Sequence, residues 1–313
     1  MLRANKTLLM AKIEGTYGTD SVPVKSANAF IATNVKVDPI FKTVERLGIH
    51  QSGGLYPAII IGEGVKITFD TEIYPAASAN AAPLIDPLLQ ACAMVKSGGT
   101  SVPVVYTQSM STFGAEKSCS IYVYIDSILH KITGCIGTMK MSNKVNEITK
   151  LSFEFTGLYS VAAEDPAPND ATFTTTAPLM LKSAQLLFDS IAMIGTSVDI
   201  DLGNSIQKKE SWNDADGVLA YYISDQKCTA TIDPDADVPS SLDIWQSITT
   251  ANVGTLALTL EGGSRDVTIA MENCYVMSAP YGERNNILTW QISLESRAAL
   301  NDSTYAPLVL TFT

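Results

Sequence analysis

The sequence predicts a mainly β protein: two related β-sandwich or barrel domains, each with one short flanking helix and a long loop. Three observations carry this reading. Apolar and polar residues alternate with period two through several segments, as in half-buried strands. Helical spacing occurs once in each half, over a few residues only. A run poor in core-forming residues separates the halves, and a similar order of elements resumes beyond it. The 313 residues suit two domains at ~100–200 residues each. The expected division is an arm at 1–27, a first domain at 28–160, a linker at 161–178 and a second domain at 179–313.

Residues 1–27 show no strong periodicity and are broken by Gly15, Gly18 and Pro23, hence an extended arm. A strand is expected at 29–37. The segment 41–63 is rich in glycine yet carries Leu47, Ile49, Leu55, Tyr56, Ile59 and Ile60. A solvated loop would not expose so many apolar groups, so a hairpin is expected there, packed on a neighbouring subunit or back on its own core. Strict alternation at 65–73 marks a half-buried strand. Leu84, Leu88, Ala91 and Cys92 fall at helical spacing, with Pro87 in the first turn. After a Gly/Ser/Pro break at 97–103, strands are expected at 120–125, 129–134, 137–142 and 149–158.

Three prolines and three acids make 160–178 a linker. Beyond it come a strand at 183–191, a polar loop at 203–217 and a strand at 227–232. A short helix at 241–248 follows, then strands at 255–260, 266–271 and 273–278, a turn at 281–286 and a strand at 287–296. The second half thus repeats the order of the first, at low residue identity.

Chemistry finds little support. Cys92, Cys119, Cys135, Cys228 and Cys274 are odd in number and have no CxxC spacing, which argues against a disulfide framework and a zinc site. They read as buried small hydrophobes in a reducing compartment. The two histidines, His50 and His130, stand alone. No GxSxG elbow, P-loop or dinucleotide fingerprint appears. Asp233, Asp235 and Asp237 alternate as calcium ligands do, but Val238 stands where the loop needs glycine and the closing glutamate is absent; an acidic turn is expected. No cofactor, metal or catalytic residue is predicted.

The net charge of −11 and the pI of about 4.6 oppose a grip on phosphates, which Lys and Arg supply. Charged residues are 17% against the usual ~25%, in keeping with a surface partly covered by neighbours. No signal peptide or membrane span is read: the apolar run 8–11 is broken at Lys12 and Glu14. A soluble protein made in the cytoplasm is expected.

Several stretches then carry a resemblance. They are Ile13-Glu14-Gly15-Thr16-Tyr17-Gly18-Thr19-Asp20, Val65-Lys66-Ile67-Thr68-Phe69-Asp70, the segment 83–92, the segment 122–134, and Leu151-Ser152-Phe153-Glu154-Phe155-Thr156-Gly157-Leu158-Tyr159. Over residues 10–160 the chain resembles the tail tube (major tail) proteins of long-tailed bacteriophages. The resemblance implies a non-enzymatic virion subunit, assembled in the host cytoplasm into stacked rings that pass double-stranded DNA without specific binding. It also implies a tape-measure protein and a tail terminator as partners, and that the loop at 41–63 and the N-terminal arm bridge adjacent rings. Many such proteins have a single domain and form hexamers. Here the second half would supply the other position, so three chains would make a pseudo-sixfold ring. A β-sandwich adhesin or carbohydrate-binding module is the alternative. Trp245 and Trp290 fall on apolar faces and are expected in the core, which leaves Trp212 as the exposed aromatic in a polar loop.

Overall fold

A computed structural model describes the chain except residues 1–2, 4–5, 47, 49–50, 52–55, 110–116, 182–185, 189–190, 215–216, 239–242, 263–264 and 299–304, with the backbone path alone for 186–188. The first half comprises β1 (Thr7–Ile13), β2 (Ala29–Phe30), β3 (Thr33–Val44), β4 (Ile59–Glu72), α1 (Asp86–Ala91), β5 (Met94–Gly99), β6 (Val102–Gln108), β7 (Cys119–Ile125), β8 (Ile128–Lys144), β9 (Lys150–Leu158) and β10 (Ala163–Glu164). The second comprises β11 (Leu186–Phe188), β12 (Ile191–Ala192), β13 (Gly195–Asp201), β14 (Asn204–Glu210), β15 (Val218–Gln226), β16 (Thr229–Pro234), α2 (Ile244–Thr249), β17 (Val253–Leu260), β18 (Val267–Ser278), β19 (Tyr281–Arg284), β20 (Ile287–Trp290), β21 (Ile292–Ser296) and β22 (Leu308–Phe312). The protein is mainly β, in antiparallel sheets packed as a sandwich.

Alternation decides which face of each strand enters the core. On β4, Val65, Ile67 and Phe69 are buried, while Lys66, Thr68 and Asp70 point the other way. The Phe69 ring lies 5.6 Å from Phe153 and 5.6 Å from Phe30, joining the two layers of the first half.

The pairing order is the same in both halves. In the first, β3 pairs β4, then follow β9, β8, β7 and β1. In the second, β13 pairs β16, then β21, β18, β17 and β11. In each half one long strand crosses between layers at a left-handed residue followed by a cysteine: Gly134 (φ 62°) before Cys135, and Asn273 (φ 49°) before Cys274. Each cysteine thiol then donates to the carbonyl three residues back, Ile132 in one case and Met271 in the other. The sequence reads β8 and β18 each as two strands, because a reversal of face at the crossing looks like a break. The two halves also join edge to edge. Residues 140–144 of β8 pair with β13, and β22 pairs with β6.

Other readings need correcting. The segment expected as an arm holds β1, whose Leu8, Leu9, Met10 and Ala11 are buried between β2 and β7. The 97–103 break lies inside the β5–β6 hairpin. The polar loop at 203–217 contains β14, paired with β15. The turn at 281–286 is mostly β19, and only Asn285 and Asn286 turn, both with positive φ. Trp290 is buried as expected, but Trp245 is 51% exposed and leans on Tyr281 at 5.0 Å. All five cysteines are free and buried.

Candidate assembly surfaces

One sheet runs through both halves in the order β3, β4, β9, the second part of β8, β13, β16, β21 and the end of β18; the chain then leads into β19, which forms a separate two-stranded ladder with β20. Its inner face supplies the core. Its outer face is polar, because the alternate positions carry Lys, Asp, Glu, Ser and Thr. Two grooves cross that face. One is lined by Lys36, Thr68, Asp70, Thr138, Lys140 and Glu154. The other is lined by Lys140, Ser142, Asp199, Asp201, Thr229 and Thr231.

The charges on this face are partly neutralised in place. Lys66 pairs with Glu154 at 2.7 Å, Lys140 with Asp201 at 2.9 Å, and Lys227 with Glu295 at 3.1 Å. Asp70 takes hydrogen bonds from the Ser152 hydroxyl and the Asn34 amide, and Asp199 takes one from Ser142. A lysine already facing a carboxylate offers little to a phosphate.

β3 at one end of this sheet, and the β19–β20 hairpin that follows β18 at the other, present open strand edges. Among the described residues β3 pairs only with β4, and β19 only with β20. Beyond β3 its hairpin with β4 projects. On this stem Phe41 is 51%, Ile59 53% and Ile60 66% exposed. Phe41 is steadied by the Tyr159 ring at 5.6 Å, and the Arg46 guanidinium lies 5.3 Å from the Tyr56 ring. Leu47, Ile49 and Leu55 lie outside the described residues. The expected loop therefore begins as a regular β-stem with apolar groups facing solvent.

The matching hairpin of the second half is covered instead. The Tyr221 amide donates to the Tyr17 hydroxyl at 2.7 Å, and Ile223 packs with Ala93 and Ile136. Asn204 is buried, and its amide donates to the carbonyls of Cys92 at 2.9 Å and Gly137 at 3.0 Å. Gln108, also buried, donates to the Leu202 carbonyl at 3.1 Å. Nothing in the sequence marks Asn204 or Gln108 as fasteners between the halves. Trp212, at the tip of this hairpin, is 97% exposed and borders a groove with Lys42, Ile61, Glu63 and Glu210.

The acidic run is not a turn: Asp233 lies at the end of β16 and Asp235 bridges to Thr289, and the two form a clamp. Arg284 pairs with Asp233 at 3.0 Å and with Asp235, and the Asp233 carboxylate also accepts from the amides of Thr196 and Ser197. Among the described residues no cluster of three or more His, Cys, Asp or Glu is placed to hold a metal, and no helix is long and apolar enough to cross a membrane.

Open strand edges, exposed apolar stems and a polar face with paired charges make this a structural, assembly-forming class of protein. The chain belongs to the phage tail tube protein family, whose family model matches residues 4–299. No curated protein matches the chain. It is a structural component of the virion tail.

Proposed function

We propose that this subunit builds stacked rings whose common lumen passes double-stranded DNA, with three chains to a ring. The observation that carries the reading is the repeated pairing order of the two halves, fused into one continuous sheet. The two halves are copies of one tube unit, the first at 28–160 and the second at 179–313, joined by the linker 161–178. Each chain then places two wall units side by side, and three chains supply six. The polar face of the sheet turns to the lumen, where small hydroxyls and paired charges let a phosphate backbone slide. The loop at 41–63, with Leu47, Ile49, Leu55, Tyr56, Ile59 and Ile60, contacts neighbouring subunits and bridges adjacent rings. A tape-measure protein and a tail terminator set the length, and assembly takes place in the host cytoplasm. No catalytic step is assigned.

Light scattering after size exclusion, with negative-stain microscopy of the same fractions, tests this. Rings with the mass of three chains are expected. A mass of six chains would move the second half to the outside of the tube.

The exposure of Trp212 beside a groove keeps a second reading, a carbohydrate-binding β-sandwich. That reading requires a monomer that binds glycans and loses the binding in Trp212→Ala.

A further inference from the structure

We propose that the open edge of β3 in one copy pairs antiparallel with β19 of a second copy. This contact reproduces between chains the β8–β13 junction found within the chain. The proposal rests on the tube-subunit reading above and adds the lateral contact and its register.

The register follows from the repeat. Within the chain, Met141 of β8 stands opposite Ile200 of β13. Tyr281 holds the place of Met141: it faces Trp290 across its hairpin as Met141 faces Leu151. Val37 holds the place of Ile200: it faces Ile67 as Ile200 faces Ala230. Tyr281 of one copy therefore stands opposite Val37 of the next, with Gly282 opposite Lys36 and Glu283 opposite Val35. Among the described residues neither edge has a partner for its outward backbone groups, and unpaired edges of this kind are templates for strand addition.

A second observation is independent of the edges. The covered hairpin places Ile223 (1% exposed) on Ala93 (6%) and Ile136 (2%). Each has a counterpart. Ile60 faces Thr43 in its hairpin as Ile223 faces Ile206. Ala251 follows α2 with φ 51° as Ala93 follows α1 with φ 60°. Tyr275 follows the crossing cysteine Cys274 as Ile136 follows Cys135. These counterparts are not covered: Ile60 is 66% exposed, Ala251 is exposed and Tyr275 is half-buried. The uncovered residues of the second half and the bare stem of the first stand at matching places in the repeat. A second copy, displaced as the halves are displaced, joins them. Ile60 then packs laterally on Ala251 and Tyr275 of the next chain.

The test uses the full chain with Val37→Cys and Tyr281→Cys, oxidised after assembly. The native cysteines are all buried. Disulfide-linked dimers and trimers are expected, and a control with Asp38→Cys in place of Val37→Cys, which turns the thiol to the other face, should link at least tenfold less. Because cysteine pairs can perturb folding, Ile60→Asp is the second variant. It should leave the melting temperature of the monomer unchanged and lower the assembled fraction at least tenfold. Rings or tubes that form but do not cross-link, and that tolerate Ile60→Asp, overturn this junction and leave the tube-subunit reading standing. A chain that stays monomeric and unlinked at every concentration overturns both.

Discussion

Glu14 is a buried carboxylate at the end of β1 that four donors converge on. Its oxygens accept from the Gly18 amide at 2.8 Å, the Ser118 hydroxyl at 2.5 Å, the Ser120 hydroxyl at 2.8 Å and the Gly134 amide at 2.8 Å. It thus ties β1, the turn after it, β7 and the crossing in β8 to one point. Glu14→Gln would set an amide N–H₂ against donors and is expected to cost about 2–3 kcal/mol, read from urea unfolding; an unchanged midpoint would refute the role. Gly134 is held there for two reasons, a φ of 62° and the Tyr17 ring 2.8 Å from where a Cβ would stand. The clamp residues define the response to acid. Burial pushes the Asp233 carboxyl up, but the donors Thr196 and Ser197 and the charge of Arg284 outweigh it and hold it below the usual carboxylate range. Arg297 and Lys227 hold Glu295 down likewise. Such groups stabilise the fold above the unfolded carboxylate range of ~4 and lose that contribution as pH falls through the lowered folded values. The melting temperature should therefore drop between about pH 5 and pH 3, and Asp233→Asn should flatten the drop. A pH-independent profile in the native chain would contradict this.

At the scale of elements, β22 decides how the halves hold together. Leu308, Leu310 and Phe312 are fully buried, and Phe312 meets the Tyr106 ring edge-on at 5.8 Å across the β22–β6 pair. Phe312→Ala is expected to cost about 3–5 kcal/mol, whereas Trp212→Ala, fully in solvent, should stay within about 0.5 kcal/mol. Chemical denaturation of the two variants side by side checks the contrast. Much of the element order was legible: β4, α1, β7, β9, α2 and β17 all follow from periodicity. The failures share a cause. Gly98, Gly99 and Pro103 read as punctuation, yet they sit in the β5–β6 hairpin, where residues 104–107 pair with the far C-terminus. Lys208, Lys209 and Glu210 read as a loop because β14 buries only Asn204 and leaves its other residues half-buried or exposed, so it carries no apolar alternation. Trp245 was placed in the core by its helical face, but α2 is short and rests its indole on Tyr281 with an N–H to the Ala279 carbonyl.

At the scale of the whole molecule, the eight strands of the continuous sheet set a dimension. Three copies closing edge to edge, at a strand spacing of ~4.8 Å and a tilt of ~40°, give a barrel about 48 Å across between backbones. Six copies with both halves in the wall would give about twice that. Averaged negative-stain images of end-on rings distinguish the two, and the narrower wall is expected. The paired lysines of the polar face further predict that duplex DNA binds the assembled protein no more tightly than ~10⁻⁴ M at physiological salt, the weak end of non-specific binding; a retained, salt-sensitive complex would count against a lumen on that face.

The sequence by itself determined the β class, the two short helices and the burial of the cysteines. All of these depend on local periodicity and residue size. The tertiary structure alone decided that β1 belongs to the core, that β8 and β18 each serve two layers, that the halves share one sheet, and which edges stay open. Those features depend on which distant strands meet. A strand carries the same alternation whether its neighbour is the next hairpin, the other half of the chain or a second copy, so pairing leaves no mark on the periodicity that reveals the strand.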